Sequence, residues 1–332
     1  MQGLDRLHQP SGKTFMNAIL FLGYSRLVQR KLILAAKIAG FEHIEVSSKR
    51  SIQEIPNIDL VHESYEKAIE RTTCTIVYVS MVNSEHGKWV RKVLESGKHC
   101  IVDKPSFINE AEATELISLA KSKKLLLAEA TVWSHHPQSH KLLNAFKPLE
   151  SKKAVALFLM PPFEAQNFRW NKKLGGGSLY DLGPYLSSSG RFIFGGAASQ
   201  VDAKILALKN KVPVSFCAQA SWPCGGNLIG YFGFDSEYIN RLEIISESKH
   251  AVLHRAFTTP SDLANTIEIN QDNKTETIVC SEADSFACFL KKVKASVENN
   301  CFDEWYQNII DDAKTLALLF HATNQEQLVS KS

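Results

Sequence analysis

Two short stretches carry residues whose types and spacing suit proton transfer at a carbonyl or alcohol oxygen. In Asp103-Lys104-Pro105 a lysine follows the apolar run Cys100-Ile101-Val102, which predicts a strand that presents an ammonium at its end and is stopped by the proline. Further on, Gly175-Gly176-Gly177 is a flexible stretch leading into a predicted helix, where Asp181 and Tyr185 stand at i, i+4 and face the same way. A phenol with an unperturbed pKa near ~10 is protonated at neutral pH, so beside Lys104 it can give a proton to an alkoxide. Tyrosine here points to ketone reduction, where histidine would serve better as the base for alcohol oxidation. The plainer alternatives are a surface lysine closing a strand and a tyrosine packed in a helix.

The elements that must position these groups follow from hydrophobic patterning. Strands are predicted over 17–22, 44–47, 76–79, 100–102 and 125–128, alternating with helices over 28–39, 65–71, 87–96 and 109–122. That rhythm implies an α/β domain with a doubly wound parallel sheet, binding its ligand at the carboxyl ends of the strands. After 133–147 the rhythm changes to apolar runs over 154–160, 201–208, 214–222, 228–234, 239–246 and 251–257, then 267–269 and 276–280 about the turn Gln271-Asp272-Asn273. These predict a large, mainly antiparallel sheet in an α+β domain, closed by helices over 285–297 and 303–322. The expected division is 14–132 and 133–332.

Charge and composition exclude several classes. In 332 residues the net charge is +3, with acids and bases interspersed, so neither nucleic acid nor a membrane surface is indicated. No apolar run is long enough to span a bilayer and the first residues are polar, so a cytoplasmic protein is expected. Seven cysteines without a Cys-x-x-Cys pair suggest reduced thiols, not disulfides or a zinc site. His136 and His140 are i, i+4, but no neighbouring acid or cysteine completes a set, and no metal is expected.

With its two motifs the chain resembles the glucose-fructose oxidoreductase and inositol dehydrogenase (Gfo/Idh/MocA) family, whose members carry Glu-Lys-Pro and a later Gly-Gly-Gly-x-Leu-x-Asp-Leu-Gly-x-(His or Tyr). The likeness extends over roughly 14–325. Within the family it is most similar to deoxysugar C-3 ketoreductases, through Phe21-Leu22-Gly23-Tyr24-Ser25, His135-His136-Pro137-Gln138, Pro161-Pro162 and Asp181-Leu182-Gly183-Pro184-Tyr185 in the same order. The resemblance implies a Rossmann domain followed by an open-faced sheet, and a keto-sugar substrate linked to a nucleotide. It places Lys104 beside the nicotinamide and the reacting oxygen, and Asn83 and His86 beside the nicotinamide ribose. His136 and Gln138 fall in a segment that lines the sugar pocket. Asp103 replaces the usual glutamate. Asp181 is read either as a contact to a sugar hydroxyl or as a helix cap, and Arg169 either as a diphosphate or hydroxyl ligand or as an internal ion-pair partner. Ser188 stands where inositol dehydrogenases keep a further acid.

At the cofactor end only Gly23 survives of the Gly-x-Gly-x-x-Gly fingerprint; Ser25 and Val28 replace the other two glycines. Gly23, Tyr24, Ser25 and Arg26 are expected to hold the pyrophosphate. Where a ribose-binding acid would mark NAD, the chain has Ser48, Lys49 and Arg50, which favours NADP(H) over NAD(H) unless this is only a solvated basic turn. The competing functional readings are a sugar or dihydrodiol dehydrogenase, and a dinucleotide- or sugar-sensing regulator without turnover. A homodimer or homotetramer is expected through the free face of the second sheet.

Overall fold

The structure, a computed structural model, describes residues 15–49, 56–147 and 152–329. Arg50 therefore lies outside the described residues. The first sheet contains β1 (Phe15–Leu22), β2 (His43–Ser47), β3 (Leu60–His62), β4 (Cys74–Val79), β5 (His99–Val102) and β6 (Leu127–Glu129). All pairings are parallel, in the order β3-β2-β1-β4-β5-β6. Its central strands are buried on both faces, from Ala18 to Leu22, Ile76 to Val79 and Cys100 to Val102, which is why they read as continuous apolar runs. Helices α1 (Ile33–Ile38), α2 (Tyr65–Arg71), α3 (His86–Glu95) and α4 (Glu110–Ser122) connect them. The strand order reverses between β1 and β4, so a crevice forms at their carboxyl ends. The doubly wound parallel sheet expected from the alternation is present.

Two local features differ from the sequence reading. The edge strand β3 is only three residues long and exposes Leu60 and Val61, leaving no alternating or buried run to announce it; its register against Glu45, Val46 and Ser47 makes it a strand. The helix predicted over 28–39 opens with a π-helical turn, Val28–Leu32, before α1 begins.

After α5 (Pro137–Asn144) come β7 (Lys153–Leu159), α6 (Ser178–Phe194), β8 (Gln200–Lys209), β9 (Val212–Ser221), β10 (Asn227–Gly233), β11 (Ile239–Ile245), β12 (His250–His254), β13 (Thr266–Gln271) and β14 (Lys274–Val279). The eight strands order as β14-β13-β12-β11-β7-β10-β9-β8; all pairs are antiparallel except β10 with β7. At the β13–β14 hairpin Asp272 and Asn273 both take positive φ, as a two-residue turn of this hand requires. α6 lies across one face of this sheet. It comes so close that a Cβ on Gly190 would lie 1.8 Å from the Trp222 ring.

The chain closes with α7 (Ser285–Asn299) and α8 (Asp303–Val329). Phe289, Leu290 and Val293 of α7 and Trp305, Tyr306 and Ile309 of α8 join the core of the first sheet, whereas Leu316 and Leu319 of α8 join the core of the second. α8 thus ties the two cores together, and a buried ion pair from Arg191 of α6 to Asp312 (2.8 Å) sits along it.

Candidate active site

A cleft of about 1500 Å³ opens at the carboxyl ends of the parallel strands and is walled on its far side by α6 and the second sheet. Lys104 enters it from the loop just beyond β5. Its Nζ donates to the Asp181 main-chain oxygen (2.6 Å) and to Asp181 Oδ1 (3.0 Å), both in the first turn of α6. Arg169 donates from Nε to Asp181 Oδ2 (2.7 Å) and from Nη2 to Oδ1 (3.3 Å). One turn along α6, the Tyr185 ring has its centroid 5.0 Å from Lys104 Nζ and is wedged against Phe158 and Phe257. One carboxylate thus faces two cations, leaving an excess positive charge beside the phenol.

The surroundings fix the protonation states. Burial on its own would raise the Asp181 pKa, but Lys104 and Arg169 outweigh it and hold the carboxyl well below the carboxylate range. Burial acts to lower the Lys104 pKa, and the opposing charge of Asp181 raises it above the ordinary lysine value. Tyr185 is raised, by burial first, with Lys104 pulling the other way and Asp181 adding to the rise. At neutral pH the trio is ammonium, carboxylate and neutral phenol.

On the opposite wall Gly23, Tyr24, Ser25 and Arg26 line the cleft, as do Ser48 and Lys49. Gly23 has φ +100°, and a Cβ there would lie 2.2 Å from the Ser80 carbonyl, so a side chain is excluded on both counts. Ser25 Oγ accepts from Val28 N (3.2 Å) and lies 2.9 Å from Ser80 Oγ. Ser80 donates to Asp103 Oδ2 (2.8 Å), and the Tyr78 hydroxyl donates to Asp103 Oδ1 (2.6 Å). Asp103 therefore braces the cofactor-side turn, and the carboxylate that holds Lys104 is Asp181. The hydroxyls, amides and cations on this wall match the donor set a dinucleotide phosphate requires.

A model of the oxidoreductase family with an NAD-binding Rossmann fold, Gfo/Idh/MocA, matches residues 19–131, and the Gfo/Idh/MocA C-terminal domain matches 153–248. The chain belongs to the Gfo/Idh/MocA family. A relative from Actinomadura kijaniata, named dTDP-3,4-didehydro-2,6-dideoxy-alpha-D-glucose 3-reductase, is 27% identical over 71% of this chain and 72% of its own length. A relative of the same name from Saccharopolyspora spinosa is 27% identical over 62% of this chain and 64% of its own. Among solved structures, KijD10, a 3-ketoreductase from A. kijaniata in complex with NADP and TDP-benzene, has a TM-score of 0.83 at 22% identity, covering 93% of this chain and 97% of that one.

Not every residue singled out from this Gfo/Idh/MocA sequence reaches the cleft. Lys104, Asp181, Tyr185, Arg169, Asp103 and Asn83 line it. Asn83 donates to the Gly175 carbonyl (2.8 Å), pinning the glycine stretch. His86 does not line it: the ring is buried, with Nδ1 2.8 Å from the Pro105 carbonyl and Nε2 3.2 Å from that of Met81, and it fixes the loop carrying Lys104. His136 and Gln138, read as sugar contacts, are also buried off the cleft. His136 caps α5, accepting from Gln138 N on Nδ1. Gln138 donates to Thr259 Oγ1 (2.6 Å) and accepts from Asn265 (2.9 Å), so it shapes the 255–259 loop that forms one rim. Asp181 is not the cap of α6, a place taken by Gly177.

Sequence reasoning missed Tyr78, Ser80 and Glu129. The buried Glu129 carboxylate accepts from the Ser106 amide and hydroxyl (both 2.7 Å) and holds the chain just past Pro105. A polar side chain inside a predicted apolar strand was the available signal for Tyr78; no spacing pattern marks the other two.

Among the described residues no helix is long and apolar enough to cross a membrane.

Proposed function

We propose that this protein is an NADP-dependent ketoreductase acting on a nucleotide-linked 3-keto-6-deoxyhexose. The observation that carries this reading is the charge-locked trio at the mouth of the parallel sheet, with a neutral Tyr185 phenol beside an ammonium that Asp181 and the loop beyond β5 hold in place. The names of the bacterial relatives support the substrate class.

A bound NADPH supplies the hydride. Lys104 polarises the ketone oxygen, and Tyr185 then gives its proton to the alkoxide oxygen that hydride addition creates. Asp181 holds Lys104 charged and in place, and ties Arg169 to the same wall. The surplus cation and the Arg169 guanidinium, flanked by the Phe163 and Phe168 rings (4.6 and 4.9 Å), suit an anionic, base-bearing substrate. On the cofactor side Ser48 and Lys49 favour a 2′-phosphate, and no carboxylate stands among the described cleft residues of that turn to receive an unphosphorylated ribose.

The test is NADPH oxidation with a panel of nucleotide-linked keto sugars. Lys104→Ala and Tyr185→Phe should each lower turnover by about 10² or more while NADPH affinity stays within a few fold. Wild-type turnover in either variant would refute the assignment. Stabilisation by NADPH with no oxidation by any sugar would favour a sensor.

A further inference from the structure

Away from the cleft, the fold gathers a set of metal-ligating side chains that the sequence keeps apart. His43 and Glu45 stand two residues apart on β2 and so share one face of the sheet, and Cys74 opens β4, on the other side of β1. An imidazole nitrogen, a carboxylate oxygen and the Cys74 sulfur lie within 4.8 Å of one another. Cys74 and Glu45 are buried, whereas the His43 side chain is 27% exposed, so the group has a buried floor and one donor open to solvent.

We propose that His43, Glu45 and Cys74 bind a divalent transition-metal ion of borderline softness, zinc in the first instance, with a fourth coordination position open on the His43 side. Imidazole, carboxylate and thiolate are the ligand types zinc accepts, at about 2.0 to 2.3 Å. Magnesium and calcium prefer oxygen throughout and would leave the sulfur unused. His43 Nε2 already lies 3.1 Å from Glu45 Oε1, so a modest rotation converts the contact into a shared ligand shell.

The surroundings supply outer partners as well. His62 Nε2 lies 2.7 Å from the other Glu45 oxygen, and the Asp59 carboxylate stands beside the His43 ring, its Oδ2 3.8 Å from Nδ1. Such partners orient the ligands of a metal. As the sulfur–metal bond forms, the thiol proton leaves to solvent, one per ion. His62 also links the cluster to the cofactor turn at the opposite end of β2, because its carbonyl accepts from Ser48 N (2.9 Å) and Ser47 Oγ (3.3 Å).

The test uses tag-free full-length protein with Cys224→Ser and Cys301→Ser, which removes the two exposed thiols. Titration with Co(II) should saturate at one ion per chain with a near-ultraviolet sulfur-to-cobalt charge-transfer band, and Cys74→Ser should abolish that band. Because Cys74 is fully buried, His43→Gln is the second variant: it should melt like the parent without metal, lower zinc affinity about tenfold or more, and lose the rise in melting temperature that zinc gives the parent. No charge-transfer band at stoichiometric cobalt, an undiminished band in Cys74→Ser, or unchanged zinc affinity in His43→Gln would each overturn the proposal and leave a hydrogen-bonded cluster only.

Discussion

At Lys104 the decisive neighbour is far away in sequence. Asp103 is adjacent yet is engaged by Tyr78 and Ser80, while Asp181 across the cleft takes the ammonium. Asp181→Asn should therefore cut turnover by about tenfold or more and lower thermal stability at neutral pH. The folded pKa of Asp181 is depressed, so its stabilising contribution is present above the unfolded carboxylate value of ~3.9 and is lost as the pH falls towards the folded one. The gap in melting temperature between the wild type and Asp181→Asn should accordingly begin to narrow below about pH 4 and go on narrowing as the pH falls further. Tyr185 works in its neutral form and its pKa is raised, so ketone reduction should hold its rate up to about pH 9 and decline only above the ordinary phenol range. An alkaline fall centred near neutrality would point to another proton donor. At the cofactor wall, one charge-assisted bond from Lys49 to a 2′-phosphate contributes about 1.5 to 3 kcal/mol, so Lys49→Ala should reduce the NADPH preference roughly tenfold in kcat/KM and leave NADH little changed. Equal losses for both cofactors would return Lys49 to the status of a solvated side chain.

At the level of elements, the cleft depends on α6 lying tightly on its sheet. Gly190 is a point of close approach, against the Trp222 ring, and Trp222 is itself buried and donates to the Gly196 carbonyl (3.1 Å). Gly190→Ala should cost about 1 to 3 kcal/mol as the helix is pushed away, measured by urea unfolding, and should lower turnover as well because Asp181 and Tyr185 move with the helix. A variant as stable as the wild type would show that the packing yields freely. The strand–helix alternation, the hairpin at Asp272-Asn273 and the final two helices were all legible from periodicity and turn chemistry. The edge strand β3 was not, because its residues face solvent and its pairing partner is remote in sequence.

For the whole molecule, the second sheet leaves one face uncovered by α6. In register across β9, β10, β7 and β11, Cys217, Tyr231, Leu157 and Arg241 share that face, and Ile229 and Tyr231 are 47% and 52% exposed. Large apolar side chains grouped in this way favour a symmetric dimer or tetramer made through these sheets. Light scattering at micromolar concentration should give a multiple of the 37.1 kDa chain mass, and Ile229→Asp with Tyr231→Asp should reduce it to the monomer. A monomer in the wild type would refute the expectation.

The sequence by itself determined the order and type of nearly every element, the two-sheet architecture and the pair of motifs that meet in the cleft, because periodicity, turn residues and local motifs are properties of neighbouring residues. Tertiary structure alone decided which charged groups pair. Asp181 joins Lys104 and Arg169, His86 and His136 turn into the interior, and Cys74 comes to rest beside His43 and Glu45. Such pairings depend on how strands order and helices dock across long sequence separations, where burial makes each unpaired charge costly and no spacing rule applies.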